Sequence, residues 1–258
     1  MSLILTEQKE NVLIITLNRP DKFNSFNREM ALQLQAVLDE AEKNKTIRCI
    51  VLTGNGKAFC AGQDLSEAID PNGPGIEKIV AEHYNPIILK IRAIEKPIIA
   101  AINGVAAGAG ANIALACDIV YASESASFIQ AFSKIGLIPD SGGTFTLPRL
   151  VGLNLASALM ITGDKLSAKD AQSVGMIYKV FADSELAEQT LLSAKNIANL
   201  PTKAIGLTKQ LLNQSYSNTL QEQLKVEKEL QVESANSFDY KEGVQAFLEK
   251  RKPDFKGE

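Results

Sequence analysis

The sequence has one histidine, three cysteines and no excess of basic residues. Each shortage removes a class of function. His83 has no second imidazole to share a metal with and lies near the apolar face of its helix. It reads as packing or a hydrogen bond ahead of a nucleophile's base or a metal ligand. Cys49, Cys60 and Cys117 are widely spaced and odd in number. They form neither a disulfide framework nor a zinc pattern, and they fit a reducing, cytoplasmic setting. Lys and Arg number 27 against 30 Asp and Glu, a net charge of −3, without the basic stripe that nucleic acid requires. The opening segment MSLILTEQKENV turns polar after a few apolar residues, unlike a signal peptide. No apolar run approaches the roughly 20 residues of a membrane span, so no membrane partner is expected. The glycosylation-type triplets at Asn44 and Asn213 have no secretory context.

What is present is a chain of 258 residues, 45% hydrophobic. That suffices for one large domain, or one domain with an appendage. Val12 to Leu17 reads as a strand into the turn Asn18-Arg19-Pro20. Residues 28 to 43 place Met30, Leu34, Val37, Leu38 and Ala41 on one helical face. Cys49 to Leu52, Pro97 to Ile102, Asp118 to Ala122 and Ile177 to Phe181 are further apolar strands. Residues 70 to 75, DPNGPG, are excluded from regular structure. Residues 76 to 94 carry a helical pattern that Pro86 should break into two helices or a kink. More helices fill about 144 to 175. Beyond residue 181 the pattern is helical, with Asp183 or Ser184 as one cap, Pro201 in a first turn and Ser237 as the last cap. Strands alternating with helices, then a helical tail of roughly 60 residues, define an α/β protein. There is no fixed-period repeat.

Residues 103 to 118, NGVAAGAGANIALACD, pose the functional question. Gly104, Gly108 and Gly110 do not complete G-x-G-x-x-G, because position 113 is Ile, and no Gly-Lys-Ser/Thr comes after them. Two readings remain. Small residues let a strand-to-helix turn lie against its neighbours. The start of a helix near Gly110 also leaves N–H groups unpaired, beside which a substrate oxygen can sit. Such donors stabilise a transient anion, given a second donor. The loop GKAFCAGQDL, residues 56 to 65, offers one in the backbone N–H of Gln63.

Asn18-Arg19-Pro20, AFCAGQDL, NGVAAGAGA, GLIPDSGGT and the closing EGVQAFLEKRKPDF stand in this order along nearly the whole chain. In this the sequence resembles the crotonase superfamily, the enoyl-CoA hydratases and isomerases. FCAGQDL, YNP, AAGAGA and AFSKIGLIPDSGGT resemble in particular the subgroup that opens the ring of 1,2-epoxyphenylacetyl-CoA in phenylacetate degradation. The resemblance implies a spiral of ββα units over residues 1–200, a helical trimerisation region over 201–258, and a homotrimer or hexamer. It implies acyl-CoA substrates, with coenzyme A part of the substrate and no metal or redox cofactor. The oxyanion donors fall on the N–H groups of Gln63 and Ala109, with Gly110 beside them. Phe23, Ser25, Ala61, Asp64 and Leu65 belong to the loops that clasp coenzyme A. Lys250-Arg251-Lys252, otherwise a solvated helix end, could approach a coenzyme phosphate.

Hydratases of this family hold water between two glutamates, and the motifs align those positions with Asn112 and Phe132. Neither can act as a general base. Asp140 remains. By itself it reads as a turn aspartate or a helix N-cap; the resemblance makes it the catalytic acid/base of an isomerase. Phe132 would then dry the pocket and face an aromatic acyl group. Cys60 reads as a small apolar filler. Two alternatives stay open: a 2-enoyl-CoA hydratase with a rearranged acid pair, and a non-catalytic assembly subunit.

Overall fold

The computed structural model describes residues 2–258. The strands, in chain order, are β1 (Ile4–Lys9), β2 (Val12–Leu17), β3 (Cys49–Gly54), β4 (Ala58–Cys60), β5 (Ile98–Ile102), β6 (Val105–Ala107), β7 (Ile119–Ser123), β8 (Ser127–Ile129), β9 (Lys165–Ser167) and β10 (Lys179–Phe181). They form one sheet in the order β1-β2-β3-β5-β7-β10 and a second in the order β4-β6-β8-β9. In the larger sheet only the β1–β2 hairpin is antiparallel. In the smaller one β9 runs against β8.

The order reveals a spiral. A strand of the large sheet passes through a tight corner into a strand of the small sheet, and then into a helical segment. This happens at β3–β4, at β5–β6 and at β7–β8. The corners depend on missing side chains. A Cβ on Gly104 would stand 2.1 Å from the Lys57 carbonyl oxygen, and one on Gly54 2.4 Å from that of Ala58. Asn103 clamps the neighbouring turn: its Oδ1 accepts from the Gly54 N–H at 3.1 Å, and its Nδ2 donates to the Gly56 carbonyl at 2.9 Å.

Strand β5 is buried along its whole length, because the large sheet is covered on both faces. One face packs on the helices Arg28–Lys43 and Asn85–Ala93 through residues such as Leu34, Leu38, Ile87 and Ile91. The helix Leu186–Ala198 covers the other, with Leu186, Ala194 and Ala198 against Val51, Ile99 and Tyr121. The helix Thr202–Gln214 is locked to this core. Buried Lys209 donates to Asp118 at 2.8 Å and to the Ile91 carbonyl at 2.7 Å, and Arg92 reaches the same carboxylate at 3.1 Å. A buried cation with two acceptors is tolerable; without them it would not be. The helices Leu220–Ala235 and Phe238–Glu249 bury little of themselves and leave Leu220, Leu224, Phe247 and Leu248 exposed.

Several expectations need correction. The helical stretch of residues 75 to 93 is not broken at Pro86. A π-turn, Ile79–Tyr84, precedes the proline, and the Asn85 N–H reaches back to the Val80 carbonyl. The wider turn absorbs the place where proline supplies no donor. Gly75 opens this stretch and so lies in regular structure. The helix Leu186–Ala198 is capped neither by Asp183 nor by Ser184: Glu185 occupies the cap, and Asp183 instead accepts from the Ser125 N–H at 3.0 Å. Ser237 is a cap as expected, its hydroxyl accepting from the Tyr240 N–H at 3.0 Å. Gly143–Thr162 is 20 residues long and apolar enough by length and composition to cross a membrane, contrary to expectation. It is two short helices, however, parted at Gly152, and it carries Pro148 and Arg149.

Gly104→Ala should force the β5–β6 corner open. Overpacking of this kind costs about 1–3 kcal/mol, and a lowered melting temperature in thermal denaturation is the expected result.

Candidate active site

Two loops meet where the small sheet begins. Parallel pairing of β4 with β6 sets Cys60 beside Ala106, and both chains then turn toward helices. Their backbones approach closely because the facing residues are glycines. A Cβ on Gly62 would lie 3.0 Å from the Ala107 carbonyl oxygen and 3.5 Å from the Ala109 nitrogen. A Cβ on Gly110 would lie 2.5 Å from the Cys60 carbonyl oxygen. Gly110 is therefore a contact glycine first, although it stands next to a predicted donor. The helix starts at Ala109 rather than at Gly110, after Gly108 at φ +52°.

The Gln63 peptide has a defined direction. Phe26 donates its N–H to the Gly62 carbonyl at 2.7 Å and accepts from the Asp64 N–H at 2.8 Å. In a trans peptide the N–H opposes the carbonyl, so the Gln63 N–H points away from Phe26. Neither this N–H nor that of Ala109 has an acceptor among the described residues. Two free donors on adjoining loops, one at a helix start, can share a single oxyanion.

Asp140 hangs over the same helix. Its backbone carbonyl accepts from Asn112 Nδ2 at 2.9 Å, and Asn112 Oδ1 accepts from Gln130 Nε2 at 2.8 Å. Ser141 and Gly142 come next in left-handed conformations, at φ 51° and 70°. Gly143 packs so tightly that a Cβ would stand 2.3 Å from Asn112 Nδ2. Asp140 is no helix cap; Gly142 occupies that place. Its Oδ1 accepts from the Ser141 hydroxyl at 2.8 Å. Burial pushes its carboxyl above the ordinary carboxylate range, against that hydrogen bond and one from its own backbone.

The residues at the two expected glutamate positions are buried. Asn112 is consumed by Asp140 and Gln130. The Phe132 ring lies 3.7 Å from the place a Gly108 Cβ would occupy, so it walls the helix start with carbon. Among the described residues, no three His, Cys, Asp or Glu side chains gather as a metal ligand set.

The other predicted residues assemble on the neighbouring edge. Phe23 is exposed at φ 49°, and its carbonyl accepts from the Ala61 N–H at 2.9 Å. Ser25 is buried, and Leu65 is half exposed. Asp64 caps the short helix Leu65–Ala68 and pairs with Arg19 at 2.8 Å. Burial raises its carboxyl, but hydrogen bonds from Ser66 and Arg19 outweigh this and leave it below the usual range. Cys60 is an apolar filler whose thiol burial pushes up to about 12. His83 is buried, with Nε2 3.2 Å from Arg28. Burial lowers its pKa, with Arg28 acting in the same sense and Glu67 and Glu82 opposing. Arg251 pairs with Glu242 and Glu249 at 2.6 Å each.

Two residues escape a reading of the sequence, Gln130 and Glu67, and Tyr84 enters it only as part of the motif YNP, without a role. Gln130 reaches Asn112 across 18 positions. The Tyr84 phenol donates to Gln63 Oε1 at 2.7 Å, and Gln63 Nε2 donates to Glu67 at 3.0 Å. No local pattern announces such pairs; the motif YNP marks Tyr84 but not its partner.

The family model described as enoyl-CoA hydratase/isomerase matches residues 7–258. The 1,2-epoxyphenylacetyl-CoA isomerase of Escherichia coli (strain K12) is 48% identical over 260 residues, spanning 100% of this chain and 99% of that protein. The 2,3-dehydroadipyl-CoA hydratase of the same strain is 37% identical over 257 residues, with 100% of both chains covered. The crystal structure of enoyl-CoA hydratase from Bacillus anthracis superimposes with a TM-score of 0.93 at 35% identity, covering 100% of each chain.

Asp140 generates a test that is independent of turnover. Its carboxyl is raised in the folded protein, so its charge disfavours folding at neutral pH. This penalty is absent below the unfolded-state pKa of about 3.9 and complete above the folded value. Asp140→Asn should therefore melt at or above the parent's temperature near pH 7, and the gain should close as pH falls toward 4. A lower melting temperature at pH 7 would show that the carboxylate stabilises the fold.

Proposed function

Since the chain belongs to the enoyl-CoA hydratase/isomerase family, we propose that it is an acyl-CoA isomerase whose sole acid/base is Asp140. The observation that carries this reading is the pairing of a raised carboxyl with an Asn112 already engaged by Asp140's own backbone and by Gln130. Asn112 and Phe132 stand where the hydratase glutamates are expected, and neither side chain can take up a proton as a general base. A hydratase needs that pair to orient and activate water; an isomerase needs one group that removes a proton and returns it elsewhere.

The thioester carbonyl sits at the N–H groups of Gln63 and Ala109. Asp140 removes the α-proton, and the electrons move into the carbonyl to give an enolate whose oxygen those donors hold. The protonated carboxyl then delivers the proton to the γ-carbon, the C–C double bond moves into conjugation with the thioester, and the carbonyl reforms. On a 3-enoyl-CoA this yields the 2-enoyl-CoA. On 1,2-epoxyphenylacetyl-CoA, in equilibrium with its oxepin, the receiving atom is a ring carbon and the product is the oxepin-CoA. No electrons are gained or lost overall, so the reaction requires no redox group, and the two N–H donors supply the carbonyl polarisation. The 48% identity to an isomerase of that epoxide supports the aromatic substrate, as does the Phe132 wall. The loops of Phe23, Ser25, Ala61, Asp64 and Leu65 would hold coenzyme A, with Asp64 acting through its hold on the loop. The exposed apolar residues of the last two helices support a homotrimer or a hexamer.

Purified protein should convert 3-enoyl-CoA or epoxyphenylacetyl-CoA and hydrate 2-enoyl-CoA weakly, with products identified by mass and chromatography. Crotonyl-CoA hydration as fast as any isomerisation would favour the hydratase; no turnover of any of the three would favour an assembly subunit. Asp140→Asn should lower turnover by about 10⁴-fold, the upper end for a positioned acid/base. Exchange of the α-proton with deuterated solvent should fall with it, while coenzyme A affinity holds. Because the base must be ionised, the acid limb of kcat/KM should lie above the usual aspartate value of about 3.9. Replacing Phe247 and Leu248 with Asp should yield smaller particles in light scattering; an unchanged mass would remove this face from the assembly.

A further inference from the structure

The Gln63 loop is held through a side chain as well as through its backbone. Phe26 bonds to the peptides on either side of Gln63, which sets the direction of its N–H from one side of the loop. The Gln63 side chain is tied at both ends. Oε1 accepts from the Tyr84 phenol at 2.7 Å, and Nε2 donates to Glu67 at 3.0 Å. Glu67 in turn accepts the Arg28 backbone N–H at 2.9 and 3.1 Å, which roots it on the first turn of the helix Arg28–Lys43.

Tyr84 itself cannot move easily. It is fully buried, packs edge-on against Phe26 with ring centroids 5.9 Å apart, and ends the π-turn. The extra residue in a π-turn rotates the helix on one side of it relative to the other, and such turns recur at functional sites. Here it leaves Tyr84 fully inside, beside Phe26, where its hydroxyl meets Gln63. A phenylalanine would fill the same space. The hydroxyl adds only the hydrogen bond to the loop.

We infer that Tyr84 is a positioning residue of the isomerisation: through Gln63 Oε1 it holds the Gln63 backbone N–H at the tilt that fits the enolate oxygen. This rests on the proposed role of that N–H as an oxyanion donor. Donor placement matters steeply, since small misplacements in a preorganised site cost large factors in rate. Losing the hydroxyl loosens a donor without deleting it. The effect should be smaller than the roughly 10²–10³ of removing one outright.

The test compares the parent with Tyr84→Phe and Gln63→Met. Each should lower kcat about tenfold while KM for the acyl-CoA stays within about twofold, the mark of an interaction made in the transition state. The double variant should be no worse than the poorer single one, because both break one link. Isotope-edited infrared of bound phenylacetyl-CoA, labelled with ¹³C at the thioester carbonyl, supplies a readout that packing alone does not move. The parent should lower the carbonyl frequency, and both variants should return it part of the way to the free value. Parental kcat and band position in Tyr84→Phe would overturn the proposal, as would losses confined to KM and melting temperature. A parent that leaves the band at its free position would remove the oxyanion assignment itself, and this inference with it.

Discussion

The structure depends on backbone touching backbone at Gly62 and Gly110. There the turn after β4 lies against the turn after β6, with no room for a Cβ on Gly110 and a crowded place for one on Gly62. The contact joins two successive coils of the spiral. It also sets the Ala109 nitrogen 3.5 Å from the place a Gly62 Cβ would occupy, one residue before Gln63. Packing and chemistry therefore place the same demand on these positions. Gly54 and Gly104 serve the same end one step earlier, by turning each coil sharply enough for its second strand to reach the small sheet.

Asp140 is held by an economy of polar groups. Its backbone carbonyl is the anchor, Asn112 the hook and Gln130 the brace. The side chain is left with the Ser141 hydroxyl and its own backbone N–H. A carboxylate with more donors would be more stable and a poorer base, since every bond to the charged form lowers its proton affinity. Burial works the other way and raises it. The strained backbone at Ser141 belongs to the same arrangement. A turn through two left-handed residues brings Gly143 onto Asn112 and leaves Asp140 at the rim of the helix start.

Much of the framework is legible along the chain. Strand Val12–Leu17 and helix Arg28–Lys43 appear with the bounds their apolar periodicity suggests. The β3, β5 and β7 runs are long and apolar enough to stand out. The strands of the small sheet do not stand out, because three residues are too few to show a period of two and AFC, VAA, SFI and KLS share no pattern. The spiral repeat is invisible for the same reason. Strand β1 is missed because it is an edge strand with most of its side chains exposed. Pro86 misleads because proline is costly in an α-helix, whereas a π-turn supplies a place where its missing N–H is harmless.

The sequence by itself determined which chemistry was possible. Amide and phenyl side chains stand at positions 112 and 132, where the resemblance expects glutamates, and the same resemblance singles out Asp140 as the candidate base. Residue type decides proton affinity, and residue type is written in the chain. Only the tertiary structure decided how Asp140 and the peptides of Gln63 and Ala109 are held. The Asn112–Gln130 brace, the Tyr84–Gln63–Glu67 chain and the contact of two glycine loops join residues between 4 and 50 positions apart. Most of these pairs come within reach only after the two sheets have stacked their coils. Hydrogen bonds act over about 3 Å, and whether two distant residues come that close is a property of the folded chain.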